Sequence, residues 1–506
     1  MTLLQHQSPL FRLPRELRDA IYAYYAFEEE GYVYDRAAGG LHPASGRKLH
    51  LMDTCVATAR EMLGAILRTN TITITPSSVE VCQDSVRGLN SRAARFECLL
   101  HDVRWTKIIM LHYVAYCATD NILDQVVERY PSIDPIFRAA FHAIRCGRDL
   151  QFISEYPHQH QDCFSASFHE AVHYMLELTS SHPSFDWLIA KACSDRRFHI
   201  GDRPAFVNGS HRKILNWKPC LWSIPSDEDL ASMERYLANP KYSKSSDRAQ
   251  GYRNIRWYFS ATAVFLDLLR RLKPEFRKQF RSVVLREDCK SVASPAVHAE
   301  GLIKFCVENP KVQILMHAGF SSNLVPTSWA MPLPGEQTTR RTIGPTSVDT
   351  YLSVAVDWMI RMWMLPSRGM PTGSFKILLE ARSAEAIELW TLIEKWATAR
   401  QVLPASFQEP ITPGRVYDCI LMHMFSYLGC LPKAFSAVVK SIIEGTSNIS
   451  IDGPCSRSWH TGPVALEQLR QMAQPSRTYR NGCAGVTILI PGGEVAYREK
   501  YSLFDL

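Results

Sequence analysis

Ile255-Arg256-Trp257-Tyr258-Phe259, Ser282-Val283-Val284-Leu285 and Val312-Gln313-Ile314-Leu315 are three short apolar runs with strand composition. Between the first two lies a helical pattern with Val264, Phe265, Leu268, Leu269 and Leu272 on its inward side. Between the second and third, Ser294-Pro295 opens a helix that Asn309-Pro310 stops. Strands alternating with helices over residues 252–316 favour parallel β-α-β units. The central run is apolar on successive residues, which reads as a buried strand.

Working outward, the same mixed grammar recurs. Val348, Tyr351, Leu352, Ala355, Trp358, Met359 and Met362 define an amphipathic helix. A strand at Phe375–Leu379, a helix at Ala384–Arg400, a helical region at Val416–Ile443 and a strand at Ile449–Ile451 follow. Val486–Ile490 and Glu494–Lys500 flank Pro491-Gly492-Gly493, a hairpin signal. Ser321–Ser347, with four prolines, reads as a linker or long loop. Upstream, Arg92–Cys117, Asp120–Tyr130, Ile133–Cys146, Ser165–Leu178 and Phe185–Cys193 read as short packed helices, and Ser226 with Asp229 forms a capping box.

At the N-terminus, Leu13, Leu17, Ile21, Tyr24 and Tyr25 recur at helical spacing, with Pro14 expected at the first helical position. Arg15, Arg18 and Asp19 are expected to keep the opposite side wet. Tyr32–Tyr34 suits a short strand, Gly39-Gly40 a turn, and Asp53 or Thr54 the cap of a helix ending at Asn70. Thr71–Ile74 then alternates as a strand.

The N-terminal residues carry a resemblance. Leu13-Pro14-Arg15-Glu16-Leu17-Arg18 with Ile21-Tyr22 resembles the opening of the F-box-like domains found in many fungal proteins. Leu51, Thr54-Cys55, Glu61, Leu67, Asn70 and Thr71–Ile74 follow in the same style, with Glu28–Leu51 as an insertion between the halves. A later block, Leu285–Asp288 through Ser291–Pro295 to Glu308-Asn309-Pro310, is also similar to that family. The resemblance implies a module that docks on the Skp-type adaptor of cullin–RING ubiquitin ligases. Leu13, Pro14, Leu17 and Ile21 would bury against the groove of that acidic adaptor, while the body recognises an unknown protein substrate.

The expected architecture is therefore mixed α/β and helix-rich. It comprises an F-box-like module at 8–76, a mainly helical region at 77–247, an α/β block at 248–320, a linker at 321–347 and a second α/β portion at 348–506. The 506 residues suffice for sizeable cores, and 46% hydrophobic with 21% charged residues fits a folded chain. No apolar run reaches the length of a membrane span, and Met1–Gln7 lacks a signal-peptide core. Fourteen cysteines without a C-x-x-C pair suit free thiols in the cytoplasm or nucleus.

Two other constellations carry chemistry. His169-Glu170-Ala171-Val172-His173 places two histidines one helical turn apart, where they could hold zinc with Glu170 activating water. The downstream glycine and histidine of a metzincin are replaced by Leu176 and Thr179, and Glu177 and Asp186 stand too near for the acidic ligand of a gluzincin. His158, His160, Cys163 and His182 are the nearby third-ligand candidates. The alternative is a helix that buries Phe168, Val172 and Met175 and leaves the histidines near the surface. Residues 241–290 hold thirteen Lys or Arg against five Asp or Glu. With Tyr252, Trp257, Tyr258 and Phe259 interleaved, that segment is either a solvated basic face or a nucleic-acid or acidic-partner patch. Glu287-Asp288, beside Arg286 and Lys290, reads as a surface ion network. No phosphate loop and no G-x-S-x-G occur. A non-catalytic interaction protein without cofactor leads, a zinc hydrolase is the alternative, and nucleic-acid binding is the third reading.

Overall fold

The computed structural model describes residues 8–77, 91–130, 137, 138, 141, 166–195, 206–237, 257–289, 291–320, 348–402, 434–453, 488–490 and 493–495. The expectations for the linker 321–347, most of the helix 133–146, residues 416–433, and Tyr252, Ile255, His158, His160 and Cys163 lie outside them.

Seven strands form one sheet: β1 Tyr32–Asp35, β2 Gly40–Pro43, β3 Thr71–Ile74, β4 Ser282–Glu287, β5 Gln313–Gly319, β6 Phe375–Glu380 and β7 Ile449–Asp452. Their spatial order is β2-β1-β3-β4-β5-β6-β7. β1 and β2 pair antiparallel around the Gly39-Gly40 turn, and every other neighbouring pair is parallel. Of the run at 255–259, the described Trp257, Tyr258 and Phe259 form no strand of this sheet. Tyr258 and Phe259 make only single bridges, to Ser291 and Ser77. A separate two-stranded hairpin joins β8 Ile488–Ile490 to β9 Gly493–Val495.

The segments read from the sequence as an N-terminal module, an α/β block and a second α/β portion share this sheet and one apolar core. From β1 onward the parallel strands follow chain order, so the sheet has no point at which the order reverses, where ligands of open α/β folds commonly bind. The described α-helices include α1 Arg15–Tyr25, which precedes the sheet, and, in the connections between strands, α2 Val56–Thr69, α3 Arg92–Val114, α4 Asp120–Arg129, α5 Ala166–Thr179, α6 Phe185–Ser194, α7 His211–Asn216, α8 Asp227–Glu234, α9 Ala261–Arg271, α10 Pro274–Arg277, α11 Ile303–Glu308, α12 Val348–Trp363, α13 Ala384–Val402 and α14 Ala434–Ile443. The apolar sides of α2, α9, α11, α12, α13 and α14, with Tyr22 of α1, cover one face of the sheet, against Ile72, Val283, Leu285, Ile314, Met316, Phe375, Ile377 and Leu379.

The opposite face alternates with it. Thr73, Val284, Leu315 and Leu378 are half-exposed, and Arg286, Lys376 and Glu380 are exposed. Val284 therefore departs from the buried strand expected of its run. The sheet is parallel yet covered on one side only among the described residues, which is unusual for parallel pairing.

Glu287 is a second correction. It is buried, and its carboxylate accepts from the Ala261 N–H at 3.0 Å, the Thr262 N–H at 3.0 Å and the Thr262 hydroxyl at 2.9 Å. These are orphan donors at the positive end of α9, so the charge replaces water that the helix start would otherwise need. Ser260 caps the same helix through the Ala263 N–H and bonds His298 Nδ1 at 2.6 Å. Burial pushes His298 down to about 4, so its neutral ring donates Nε2–H to the Ala293 carbonyl. Ala293 and Ser294 both have left-handed backbones, with φ of 64° and 56°. Beyond His298, the Ala293 N–H donates to Glu97 at 2.6 Å and the Ser294 hydroxyl accepts from Arg104 at 3.1 Å. Both of those residues belong to α3, so the strained turn is held by the layer above it.

That layer, α3 to α8, has its own core and lies behind the sheet's helices. Arg361 of α12, buried, reaches Ser167 at 2.8 Å and Glu170 at 3.4 Å on α5, and Glu300 at 3.0 Å. The stretch Pro295–Leu302 is a 3-10 helix before α11, not the continuous α-helix its pattern suggested. A Cβ at Gly301 would stand 2.5 Å from the Trp222 ring and 2.8 Å from Leu266. Overpacking of this kind costs roughly 1–3 kcal/mol. Gly301→Ala should lower stability by about 2 kcal/mol in a urea titration, and an unchanged midpoint would show that the two helical layers do not meet there.

Candidate partner-docking surface

Leu13 ends a short 3-10 turn, Pro14 stands one position earlier than expected as the N-cap, and α1 then runs from Arg15 to Tyr25. The helix is anchored through its charged side. Arg18 grips both oxygens of Glu61 on α2, at 2.9 Å each, and donates to the Leu13 carbonyl at 2.7 Å. Arg15 adds a contact to Glu61 at 2.6 Å, and Asp19 meets Arg68 at 3.5 Å. The Arg18 hydrogen bond, backed by Arg15, holds the Glu61 carboxyl below the usual carboxylate range. Tyr22 and Ala26 complete the inward face. The Ala26 carbonyl accepts from Tyr32 Oη at 2.7 Å and from Asn70 Nδ2 at 3.1 Å, which fixes the end of the helix.

A helix that spends residues 15, 18, 19 and 22 on its neighbour must aim 17, 21 and 24 the other way. Leu17 is 53% exposed, Ile21 41% and Tyr24 90%. This reverses the expected polarity, since Arg18 and Asp19 face α2 while the apolar stripe faces outward. Tyr25 leaves the stripe and packs on the core. Of the four anchors that the resemblance implies, Pro14, Leu17 and Ile21 are exposed and Leu13 is half-buried. Phe27 and Val56, exposed at the far end of α1 and the start of α2, were missed because neither belongs to the helical repeat of Leu17 and Ile21.

The H-E-x-x-H stretch lies on α5. Phe168, Val172 and Met175 are buried as the packing alternative required, but the histidines are wedged between helices and only half-buried. His173 Nδ1 stands 3.2 Å from Lys107 Nζ, and Lys107 also donates to the Trp217 carbonyl at 2.9 Å. Glu170 is turned to Arg361. Burial, together with Arg104, His101 and Lys107, pushes His169 well below its ordinary value. Among the described residues no group of three His, Cys, Asp or Glu side chains is arranged to hold a metal ion.

In the basic segment, Arg270, Arg271, Lys273 and Lys278 are exposed around the end of α9 and α10. Trp257 and Phe259, two of the aromatics interleaved with that charge, are core residues. No family model, no curated protein and no solved structure matches the chain.

The α3–α5 contact carries a pH dependence. Burial lowers Lys107 to about 7 and His173 to about 4, with Glu177 3.6 Å from His173 Nε2 and itself paired to Lys218. An imidazole whose folded value lies below its unfolded value binds more protons when unfolded. The His173 contribution is thus complete above about 6.5 and lost as pH falls toward 4, whereas Lys107 adds a rise in stability from about 7 up to its ordinary value of about 10.5. The thermal midpoint should fall between pH 7 and 5, and His173→Gln should reduce that fall. An equal fall in the variant would place the acid sensitivity elsewhere.

Proposed function

We propose that this chain is a non-catalytic interaction protein that docks a partner through α1. In this reading the partner is a Skp-type adaptor of a cullin–RING ubiquitin ligase, and the sheet-and-helix body presents a protein substrate to the ligase. The observation that carries it is the outward stripe of Leu17, Ile21 and Tyr24 on a helix whose polar side is consumed by Glu61 and Arg68. An apolar face aimed at solvent on a well-anchored helix is the form that helix-in-groove recognition takes, with affinity concentrated in a few anchors. The Leu13-Pro14 opening supplies the adaptor class, by resemblance.

The role belongs to the cytoplasm or nucleus. The described cysteines are free thiols, which suits a reducing compartment. Among the described residues no helix is long and apolar enough to cross a membrane.

Titration of the full chain with purified adaptor tests the reading. Wild type should bind saturably. Leu17→Asp with Ile21→Asp, both at exposed positions, should keep the thermal midpoint and weaken binding by at least about tenfold. No binding by wild type would refute the adaptor, and equal binding by the double variant would refute α1 as the surface.

A further inference from the structure

Lys107 of α3 is 7% exposed, and among the described residues no carboxylate pairs with it. Its Nζ has two acceptors instead, the Trp217 carbonyl at 2.9 Å and His173 Nδ1 at 3.2 Å. Those two bonds use both hydrogens of a neutral amine and leave its lone pair unspent. An ammonium would bring a third hydrogen, for which no acceptor stands among the described residues, into a place short of water. Burial, with Lys218 and Arg104 nearby, lowers the amine to about 7, so much of it is neutral at neutral pH.

The charged and titratable groups around the amine are Arg104 on its own helix, His169, His173 and Glu177 on α5, and Lys218 beyond α7. Glu177 is held by Lys218 at 2.7 Å, and Glu97 and Glu170 lie near Arg104, so no negative charge is left for the amine. Lys218 and Glu177 are exposed, Glu177 stands 3.6 Å from His173 Nε2, and His173 touches Lys107. Side chains in contact thus lead from solvent to the amine.

We propose that Lys107 is a reversible carbamylation site, its amine taking up carbon dioxide with His173 as the proton acceptor. The lone pair attacks the carbon, and the N–C bond forms as one C=O electron pair moves onto oxygen. One N–H proton passes to His173 Nδ1, while the other keeps the bond to the Trp217 carbonyl. The product is a carbamate anion beside an imidazolium, so charge balances and no further reactant is needed. Glu177 faces that imidazolium at Nε2. Carbon dioxide suits the site because it is small and uncharged, whereas a charged electrophile would have to shed its water to enter the contact. The stability of the α3–α5 contact then depends on dissolved carbon dioxide by mass action. This site is separate from α1 and stands whether or not the adaptor binds.

The test is trapping on the full chain. The protein is equilibrated with carbon-13 bicarbonate, treated with a trialkyloxonium salt that esterifies carbamates, and mapped by peptide mass spectrometry. At about pH 8, label at Lys107 should exceed that at the exposed Lys213 by at least about tenfold, and it should fall away at about pH 6. His173→Gln keeps an acceptor but cannot take the proton, and should cut the label at Lys107 by about tenfold. Carbon-13 NMR reads the adduct without any reagent entering the contact, and a carbamate signal present in wild type should be lost in Lys107→Met. No such signal in wild type, or label at Lys107 no higher in the native than in the urea-unfolded chain, would overturn the site. Full labelling of His173→Gln would contradict His173 as the acceptor.

Discussion

The two-oxygen grip of Arg18 on Glu61 decides how α1 sits, and with it what the N-terminus can do. A guanidinium fork against a carboxylate is geometrically specific, and in this pair it is sheltered, with side-chain exposures of 14% and 12%. Arg15 shares the same carboxylate and Asp19 answers Arg68, so the polar side of the helix has nowhere else to face. The apolar side is left to solvent or to another molecule. Rolling the helix to bury Leu17 and Ile21 would pull Arg18 from Glu61 and leave a sheltered charge unmatched.

Beyond that pair, the fold is tied together through the one sheet. Strands spread between Tyr32 and Asp452 share one sheet, so the N-terminal hairpin and β3 are locked to β4 through β7. Thr71 and Ser282 exchange a hydroxyl bond at 3.0 Å across the first of these joins. Behind the sheet, Glu287, Ser260 and His298 tie the start of α9 to the strained Ala293-Ser294 turn, and Glu97 and Arg104 tie that turn to the outer helices. The result is sheet, helices and a second helical layer, with the far side of the sheet left uncovered by described residues.

Much of this order was legible in the sequence, because it depends on neighbours along the chain. Alternation at Thr71–Ile74, the Ser226–Asp229 capping box, the Asn70 stop and the parallel β-α-β grammar are local signals, and each stands in the structure. What periodicity could not supply was long-range. Glu61 lies 43 residues from Arg18, so nothing near α1 announced that its charged side would face inward. Glu287 looked like half of a surface pair because the helix start that it caps begins 26 residues upstream. Within the 3-10 stretch at Pro295–Leu302, the Trp222 ring leaves no room for a Cβ at Gly301, a contact between segments about 80 residues apart. Of the stripe Leu13, Leu17, Ile21, Tyr24 and Tyr25 read from the sequence, Leu17, Ile21 and Tyr24 do share one exposed side. The sign of that side, outward and not inward, came from the ion pairs.

Site-specific thiol labelling of α1 in the native protein measures that sign directly, with each site followed by peptide mass spectrometry against the native cysteines. Leu17→Cys and Ile21→Cys should react at rates close to those of the unfolded chain, while Tyr22→Cys should be protected by orders of magnitude. Protection of Leu17→Cys and Ile21→Cys in the isolated chain would mean that the apolar stripe is already spent on the protein itself, leaving α1 no face with which to hold a partner.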